Sequence, residues 1–302
     1  MERHKDPDWF AGFLTREGLP PSFSQVFKTV VEPLAERIHA SCDRIRLVGL
    51  CGAQGSGKST LSSALALLLK DRGLTVATLS LDDLYLSRAL RKGLALGVHP
   101  LLATRGVPGT HDVAFGGQVL EALKGNRETC LPRFDKAADD PFPQSSWPRV
   151  TGPLDVVLFE GWCVGARAQS ERELAHPINT LEHDEDPGGH WRAHVNAQLR
   201  GPYASLFSGL DLFVFLQAPN FDVVADWRLE QEEKLRKRLE QEGASTTHLM
   251  DEAGVRRFIS HYERITRTLL DEAPDRADVL IRLEADRSVS EVRFRPPYSI
   301  GV

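Results

Sequence analysis

The chain has 302 residues, of which 41% are hydrophobic and 26% are charged, and these proportions are typical of globular proteins. Its net charge of -5 argues against a protein whose overall field attracts nucleic acid or a membrane surface. The four cysteines are scattered, no apolar stretch approaches the roughly 18 residues of a membrane span, and the N-terminus MERHKDPDWF lacks the apolar run of a signal peptide. We therefore expect a cytoplasmic protein with no nucleic-acid or membrane partner.

The predicted elements alternate between helices and strands. Residues 1–43 form an N-terminal helical segment, and residues 45–50 are an apolar run that leads into glycine-rich sequence and a helix that ends at Gly73. Further apolar runs, typical of strands buried on both faces of a parallel sheet, lie at 74–80, 154–159, 210–216 and 279–283. The predicted fold class is α/β, with residues 1–302 in one domain around a doubly wound, parallel five-stranded sheet.

Two connections in this sheet are unusually long, at residues 81–153 and 160–209. Because ligands bind in the loops at the carboxyl ends of parallel strands, we expect the first insertion to bind substrate. It contains a helical pattern at 113–123. A second helical pattern at 223–241 carries Glu/Lys and Glu/Arg pairs at i,i+4 spacing, which predicts a solvent-exposed helix in the region 222–245.

The motif GxxxxGK[ST] follows the first apolar run and precedes a leucine-rich helix. Glycines in such a loop allow positive φ and bring backbone N–H groups around the phosphates of a nucleotide, and the helix N-terminus adds positive charge. The lysine would reach the β- and γ-phosphates, and the hydroxyl of Ser59 would ligate Mg²⁺. The candidate nucleotide site comprises Gly52, Ala53, Gln54, Gly55, Ser56, Gly57, Lys58, Ser59 and Thr60.

Carboxylates follow two of the predicted strands. Glu160 follows the third run and is the candidate for organising Mg²⁺, whereas Asp155 begins the same run and lies about 17 Å away, at the opposite end. Asp82 and Asp83 follow the second strand, which we expect to neighbour the P-loop strand, so that one of these carboxylates could accept the proton of an attacking hydroxyl. The alternatives are a solvated Glu160 and a helix N-cap for one of the aspartates.

These motifs resemble the phosphoribulokinase, uridine kinase and pantothenate kinase group of P-loop kinases, and more specifically the D-glycerate 3-kinase family. The resemblance covers about residues 45 to 240 and rests on the segments RGVPGTHD (105–112), LPRFDK (131–136), WP (147–148), FEGW (159–162), APNF (218–221) and DWRLEQE (226–232). It implies a catalytic base at Asp82, a metal-site carboxylate at Glu160, and a lid that brings Arg228 and Arg236 onto the ATP phosphates. Phe134 departs from the family pattern, because many relatives have tyrosine there.

A small hydroxy acid requires cations for its carboxylate and hydrogen-bonding groups for its hydroxyls. The long first insertion supplies both, although each basic residue could instead form a structural ion pair. The candidate acceptor site comprises Asp82, Asp83, Tyr85, Arg105, Thr110, His111, Asp112, Arg133, Asp135 and Lys136.

The expected activity is transfer of the γ-phosphoryl of ATP to the 3-hydroxyl of D-glycerate, with ATP and Mg²⁺ as cofactors and Lys58, Asp82 and Glu160 as catalytic residues. One alternative is a related kinase for pantothenate, a nucleoside or a sugar phosphate. The other is a nucleotide-dependent switch, which would have no use for a proton acceptor beside the phosphates. The sequence leaves the oligomeric state open.

Overall fold

The computed structural model describes residues 7–41, 43, 46–241 and 250–296. The strands in these residues are β1 Leu47–Gly52, β2 Val76–Ser80, β3 Glu128–Cys130, β4 Phe134–Asp135, β5 Asp140–Pro141, β6 Arg149–Thr151, β7 Val156–Gly161, β8 Leu212–Gln217, β9 Val279–Leu283 and β10 Val289–Phe294. The α-helices are α1 Phe10–Glu17, α2 Phe23–Val26, α3 Glu32–His39, α4 Lys58–Asp71, α5 Arg88–Gly97, α6 Val113–Leu123, α7 Glu171–Leu174, α8 Thr180–Glu185, α9 His190–Gln198, α10 Ala204–Phe207, α11 Phe221–Gln241 and α12 Glu252–Arg276. Shorter 3₁₀ turns lie at Leu81–Leu84, Pro100–Ala103 and Gln144–Ser146, and π-helical turns at Phe27–Val31 and Leu199–Tyr203. Among the described helices, none is both long and apolar enough to cross a membrane.

The central sheet has the strand order β10-β9-β8-β1-β7-β2. Its first five strands in chain order, β1, β2, β7, β8 and β9, are parallel, which confirms the predicted α/β class. The prediction of five strands was short by one, because β10 pairs antiparallel with β9 at the edge. A register shift between Val289 and Glu291 breaks the alternation of β10, so its sequence lacks a clean strand pattern.

The expectation that the second strand neighbours the P-loop strand was wrong. The chain leaves β1, forms α4, and places β2 two positions away, and β7 later fills the gap between them. The register aligns Leu50 of β1 with Glu160 of β7, and Glu160 with Ser80 of β2. The carboxyl ends of three strands are therefore level, with Glu160 in the middle.

Aspartates connect adjacent strands at the opposite, amino-terminal edge of the sheet. The carboxylate of Asp155 accepts hydrogen bonds from the backbone N–H and the hydroxyl of Thr75, both at 2.7 Å. Asp211 accepts from the backbone N–H of Leu47 at 2.8 Å, and Asp278 accepts from that of Phe213 at 2.8 Å. The predicted position of Asp155, far from the phosphate-binding edge, is confirmed.

The two insertions fold around this core in different ways. Residues 81–153 contain α5, α6 and two small antiparallel sheets, β3 with β6 and β4 with β5. The predicted helix over 113–123 is confirmed at both ends. Residues 160–209 are largely helical, from α7 to α10. The predicted lid region 222–245 is covered by α11 as far as Gln241, and its residues 242–245 lie outside the described residues.

A buried ion pair fastens the second insertion to the long helix α12. The guanidinium of Arg264 donates to both oxygens of Glu182, at 2.7 and 2.6 Å, and their side chains are 8% and 0% exposed. Arg264 also donates to the backbone carbonyls of Glu173 and His176, at 2.8 and 2.7 Å. The buried guanidinium therefore donates its hydrogen bonds to one carboxylate and two backbone carbonyls.

Removing one partner of this pair should destabilise the protein. Glu182→Leu leaves a buried guanidinium without its counter-charge, so we expect the free energy of unfolding to fall by about 3–5 kcal/mol. Chemical denaturation measures this change. The exposed pair of Arg256 and Glu252 on the same helix α12 is the control, and Glu252→Gln should cost no more than about 1 kcal/mol. Equal losses in the two variants would contradict a special role for the buried pair.

Candidate active site

The phosphate-binding loop connects β1 to α4, between Gly52 and Lys58. Gly55 and Gly57 have φ of +81° and +84°, in the left-handed region that side chains with a Cβ rarely adopt. A Cβ at Gly55 would lie 2.6 Å from the Cβ of Trp227, whereas one at Gly57 would meet open space. Gly57 is therefore needed for its backbone conformation, and Gly55 also because α11 packs against the loop.

The hydroxyl of Ser59 lies beside the carboxylate of Glu160. Ser59 Oγ donates to Glu160 Oε1 at 3.2 Å, across from the first turn of α4 to the end of β7. Glu160 is 7% exposed, and among the described residues its Oε2 is buried with no hydrogen-bond partner. Because an unpartnered buried carboxylate oxygen is costly, this pair fits a bound cation or its water. The alternative of a solvated Glu160 does not fit its burial.

Asp82 lies in the 3₁₀ turn that follows β2, where both of its oxygens are engaged. Lys136 Nζ donates to Oδ2 at 2.6 Å, and the hydroxyl of Tyr85 donates to Oδ1 at 2.8 Å. Burial raises the pKa of this carboxyl, but Lys136 and Lys58 outweigh that effect and hold the pKa at about 2. The carboxylate is therefore ionised at neutral pH, between a lysine of the P-loop and a lysine of the insertion.

Asp83 faces a different partner. Its Oδ2 accepts from Arg133 at 3.0 Å and its Oδ1 from the backbone N–H of Phe134 at 3.1 Å. Burial raises its pKa, against the opposing field of Arg133. Neither aspartate caps the 3₁₀ turn, since Ser80 accepts from the N–H of Asp82 in that role. Asp83 thus fixes the segment that ends in Lys136, and Asp82 contacts the lysine itself.

Tyr85 and His111 form a buried stack beside Asp82, with ring centroids 4.5 Å apart. The hydroxyl of Tyr203 accepts from the N–H of Gly109 at 3.0 Å and lies 2.6 Å from His111 Nδ1. A hydroxyl has one proton and two acceptor lone pairs, so its contact with Nδ1 fits either neutral tautomer of the ring. Burial lowers the pKa of His111 to about 3, so the ring is neutral.

Arg105 is held from several sides. Its guanidinium pairs with Asp139, donates to the carbonyl of Lys136 at 3.3 Å, and lies 5.6 Å from the centre of the Phe134 ring. Its own carbonyl accepts from the hydroxyl of Tyr262 at 3.0 Å. A Cβ at the next residue, Gly106, would lie 1.9 Å from that hydroxyl. Arg105 therefore has a fixed position next to Lys136.

Three other predicted acceptor residues have their polar groups engaged within their own loops. Thr110 is fully buried, and its hydroxyl accepts from Gly106 N at 3.0 Å and donates to the carbonyl of Val107 at 2.7 Å. Asp112 caps α6 through the N–H of Phe115. Asp135 accepts from the N–H groups of Ala137 and Ala138, and so shapes the turn that presents Lys136.

The two lid candidates lie on α11 at different distances from the P-loop. Arg228 follows Trp227, the residue packed on Gly55, and pairs with Glu232 at 2.6 Å. Arg236 lies about 12 Å further along the helix and donates to the carbonyl of Met250 at 3.1 Å. Arg228 is thus next in sequence to the residue that packs on the phosphate loop, and Arg236 lies further along α11.

Several residues of the site lie outside every motif that the sequence offers. Tyr262 reaches the site from α12, and Asp139 pairs with Arg91 at 2.8 Å as well as with Arg105. Arg287, from the β9–β10 turn, donates to the carbonyl of Gly55 at 2.9 Å and pairs with Glu230 of α11 at 2.6 Å. No local pattern marks these residues, because they approach from distant parts of the chain.

Comparison with known proteins supports a kinase. The chain is 34% identical over 225 residues to the "uncharacterized kinase mug58" of Schizosaccharomyces pombe, which covers 72% of this chain and 78% of that relative. It is 31% identical over 242 residues to the chloroplastic D-glycerate 3-kinase of Arabidopsis thaliana, covering 77% of this chain and 50% of the plant protein. A solved D-glycerate 3-kinase from Cryptococcus neoformans superposes with a TM-score of 0.71 at 25% identity, over 88% of this chain and 99% of that one.

This chain belongs to the D-glycerate 3-kinase family of P-loop kinases. A family model for the methylmalonyl-CoA mutase-associated GTPase MeaB also matches, over residues 23–89. That match covers β1, the P-loop, α4 and β2, but neither Arg105 nor Lys136 of the first insertion. It therefore reflects the nucleotide-binding half that P-loop proteins share, whereas the relatives in the kinase family match most of the chain.

Membership of this family makes the Ser59 and Glu160 pair testable through metal dependence. In Glu160→Gln, we expect the gain in ATP affinity on adding Mg²⁺ to fall roughly 10- to 100-fold, because the buried carboxylate predicted to hold the metal shell is lost. ATP affinity without Mg²⁺ should not fall. Calorimetric titration with and without Mg²⁺ measures both. Asp155→Asn, at the opposite end of the strand, is the matched control, and an equal effect there would contradict the assignment.

Proposed function

We propose that the protein transfers the γ-phosphoryl group of ATP to the 3-hydroxyl of D-glycerate, giving 3-phosphoglycerate and ADP. The observation that carries the proposal is the ionised Asp82 at the phosphate-binding edge, between Lys58 of the P-loop and Lys136 of the insertion. A carboxylate in this position suits the removal of a proton from an alcohol. The names of the plant and Cryptococcus relatives supply the identity of the alcohol.

The nucleotide half of the site would position and neutralise the triphosphate. The backbone N–H groups of Gly55 to Gly57 and the N-terminus of α4 would surround the phosphates, with Lys58 on the β- and γ-phosphates. Ser59 would ligate Mg²⁺ and Glu160 would order its water shell. When bound, the ion would neutralise charge that develops on the transferred group. In-line transfer needs this positioning and no covalent enzyme intermediate.

The acceptor half would orient the hydroxy acid. Asp82 would take the proton of the attacking hydroxyl, while Lys136 and Arg105, which are adjacent through the Lys136 carbonyl, would receive the carboxylate. Arg133 would contribute to acceptor binding indirectly, because it holds Asp83 in place. His111 is neutral, and its Nε2, which is buried without a hydrogen-bond partner among the described residues, could form a hydrogen bond with a hydroxyl of the acceptor.

Helix α11 is proposed as the lid. Trp227 packs on the P-loop and Arg287 connects the loop to Glu230, so closure would carry Arg228, and on further closure Arg236, towards the phosphates. Exclusion of water by such a closure suppresses ATP hydrolysis. The cytoplasmic location and the assignment of residues 1–302 to one kinase domain remain predictions from the sequence.

A panel of acceptors tests the substrate. ATP and Mg²⁺ are supplied and ADP release is the readout. We expect kcat/KM for D-glycerate to exceed that for pantothenate, uridine and ribulose 5-phosphate by at least about 100-fold, because Asp82, Lys136 and Arg105 offer a base close to cations, which suits a small acid with a nearby hydroxyl. Turnover of another member of the panel in place of glycerate would contradict the substrate. ATP binding with no turnover of any acceptor would favour the nucleotide-dependent switch.

Adjacent carboxylates with different contacts offer a matched pair of variants. Asp82→Asn should lower kcat about 10²- to 10⁴-fold with ATP affinity retained, because it removes the proton acceptor. Asp83→Asn should act mainly on the KM for glycerate, since it loosens the segment that carries Lys136. Steady-state kinetics and ATP titration separate the two. Unchanged kcat in Asp82→Asn would refute its role as the base.

A further inference from the structure

Each of the three cations predicted for the acceptor site is already paired with a carboxylate of the protein itself. Arg133 contacts Asp83, Arg105 contacts Asp139, and Lys136 contacts Asp82. The two arginines are also tied to backbone carbonyls. Lys136 is different, since its side chain is 61% exposed and the partner that holds it is Asp82. Among these pairs, the lysine is the cation that an incoming acid can most readily draw away.

The backbone around Lys136 is fixed, so that an exchange of partners needs only a side-chain movement. Asp135 accepts hydrogen bonds from the N–H groups of Ala137 and Ala138, at 2.9 and 3.1 Å. Arg105 holds the carbonyl of Lys136 at 3.3 Å. A lysine has four rotatable side-chain bonds and a compact ammonium, whereas the forked guanidinium of an arginine fits one bidentate partner. This turn can therefore redirect the ammonium without refolding.

The current partner of Lys136 is the group that must act as base. With Lys136 on Oδ2 and the Tyr85 hydroxyl on Oδ1, both oxygens of Asp82 are engaged by donors. The other charged or titratable groups near Asp82 are Lys58, Asp83, His111, Tyr262 and Cys163. An ammonium in direct contact stabilises the carboxylate and so weakens it as a proton acceptor.

We propose that the carboxylate of the acceptor takes Lys136 from Asp82, so that binding of an acid frees the base that deprotonates it. The inference rests on the proposed function and deepens it. The hydroxyl proton then passes to Asp82 as the acceptor oxygen forms its bond to the γ-phosphorus and the bond from that phosphorus to ADP breaks. A neutral alcohol of the same size offers no carboxylate, so Lys136 stays on Asp82 and transfer is slow even at saturation.

If Lys136 changes partners in this way, the charge of the acceptor should affect kcat as well as KM. Glycerol has three carbons and a terminal hydroxyl like D-glycerate, but no carboxylate, and the two compounds form the test pair. For the wild-type chain we expect kcat with glycerate to exceed kcat with glycerol by at least about 100-fold. In Lys136→Met, kcat with glycerol should rise about tenfold while kcat/KM with glycerate falls, so that the kcat ratio of the two acceptors collapses.

The design separates the exchange from simpler roles. Lys124→Met is the control, since Lys124 pairs with Glu121 on the exposed face of α6, and it should leave both acceptors unchanged. Melting temperature and ATP affinity check that Lys136→Met is folded, as its exposure leads us to expect. If Lys136→Met raises only the KM for glycerate, the lysine merely binds the acid. If the variant lowers kcat equally for both acceptors, or gives no increase in kcat with glycerol, the lysine contributes directly to phosphoryl transfer. Each of these results overturns the exchange, and no turnover of glycerate by the wild-type chain overturns the proposed function with it.

Discussion

The site depends on the level alignment of three parallel strands. Leu50, Glu160 and Ser80 occupy one row across β1, β7 and β2, so the strands that lead to the P-loop, to Glu160 and to the turn bearing Asp82 are aligned at this edge of the sheet. With about 4.8 Å between neighbouring strands, the P-loop strand and the Asp82 strand are about 10 Å apart. This interval would accommodate a phosphoryl group with an attacking hydroxyl, and Glu160 lies on the strand between the two. A shift of one residue in β7 would turn Glu160 to the other face of the sheet.

The first insertion completes this edge by bringing the proposed acceptor-binding groups next to it. Asp83 fastens the segment before Lys136 to the end of β2, and Arg105 is fixed by Asp139 and by the hydroxyl of Tyr262 from α12. The second insertion is in turn attached to α12 through the buried pair of Glu182 and Arg264. Distant parts of the chain thereby hold a small set of charges in place, which suits a reaction whose catalysis consists of positioning and electrostatic stabilisation.

Much of the fold and the nucleotide half of the site could be predicted from the sequence, because the signals are local. The P-loop carries its own motif, buried parallel strands are continuous apolar runs, and the helix at Val113–Leu123 is bounded by its own cap. Strand order could not be predicted, since nothing local to β2 records that β7 will enter beside it. The edge strand β10 was missed because a bulge interrupts its pattern.

The acceptor half of the site could be predicted from the sequence only in part. The structure brings the predicted residues Asp82, Arg105 and Lys136 together, whereas Thr110, Asp112 and Asp135 have their polar groups engaged in the loops that the same motifs form. Asp82 contacts Lys136, whereas the adjacent Asp83 contacts Arg133. Which aspartate has which partner depends on the tertiary path of residues 131–136. Tyr262 and Arg287 approach from α12 and from the β9–β10 turn, and their contacts exist only in the folded chain.

The position of the phosphate in the product tests the central claim most directly. When the protein is incubated with ATP, Mg²⁺ and uniformly ¹³C-labelled D-glycerate, ³¹P and ¹³C NMR should show a single new phosphate ester, with its largest chemical-shift change at C3. We expect this result because we propose that Asp82 takes the proton of the terminal hydroxyl while the adjacent cations hold the carboxylate at the other end. A phosphate on C2, or inorganic phosphate released beside unchanged glycerate, would contradict the account.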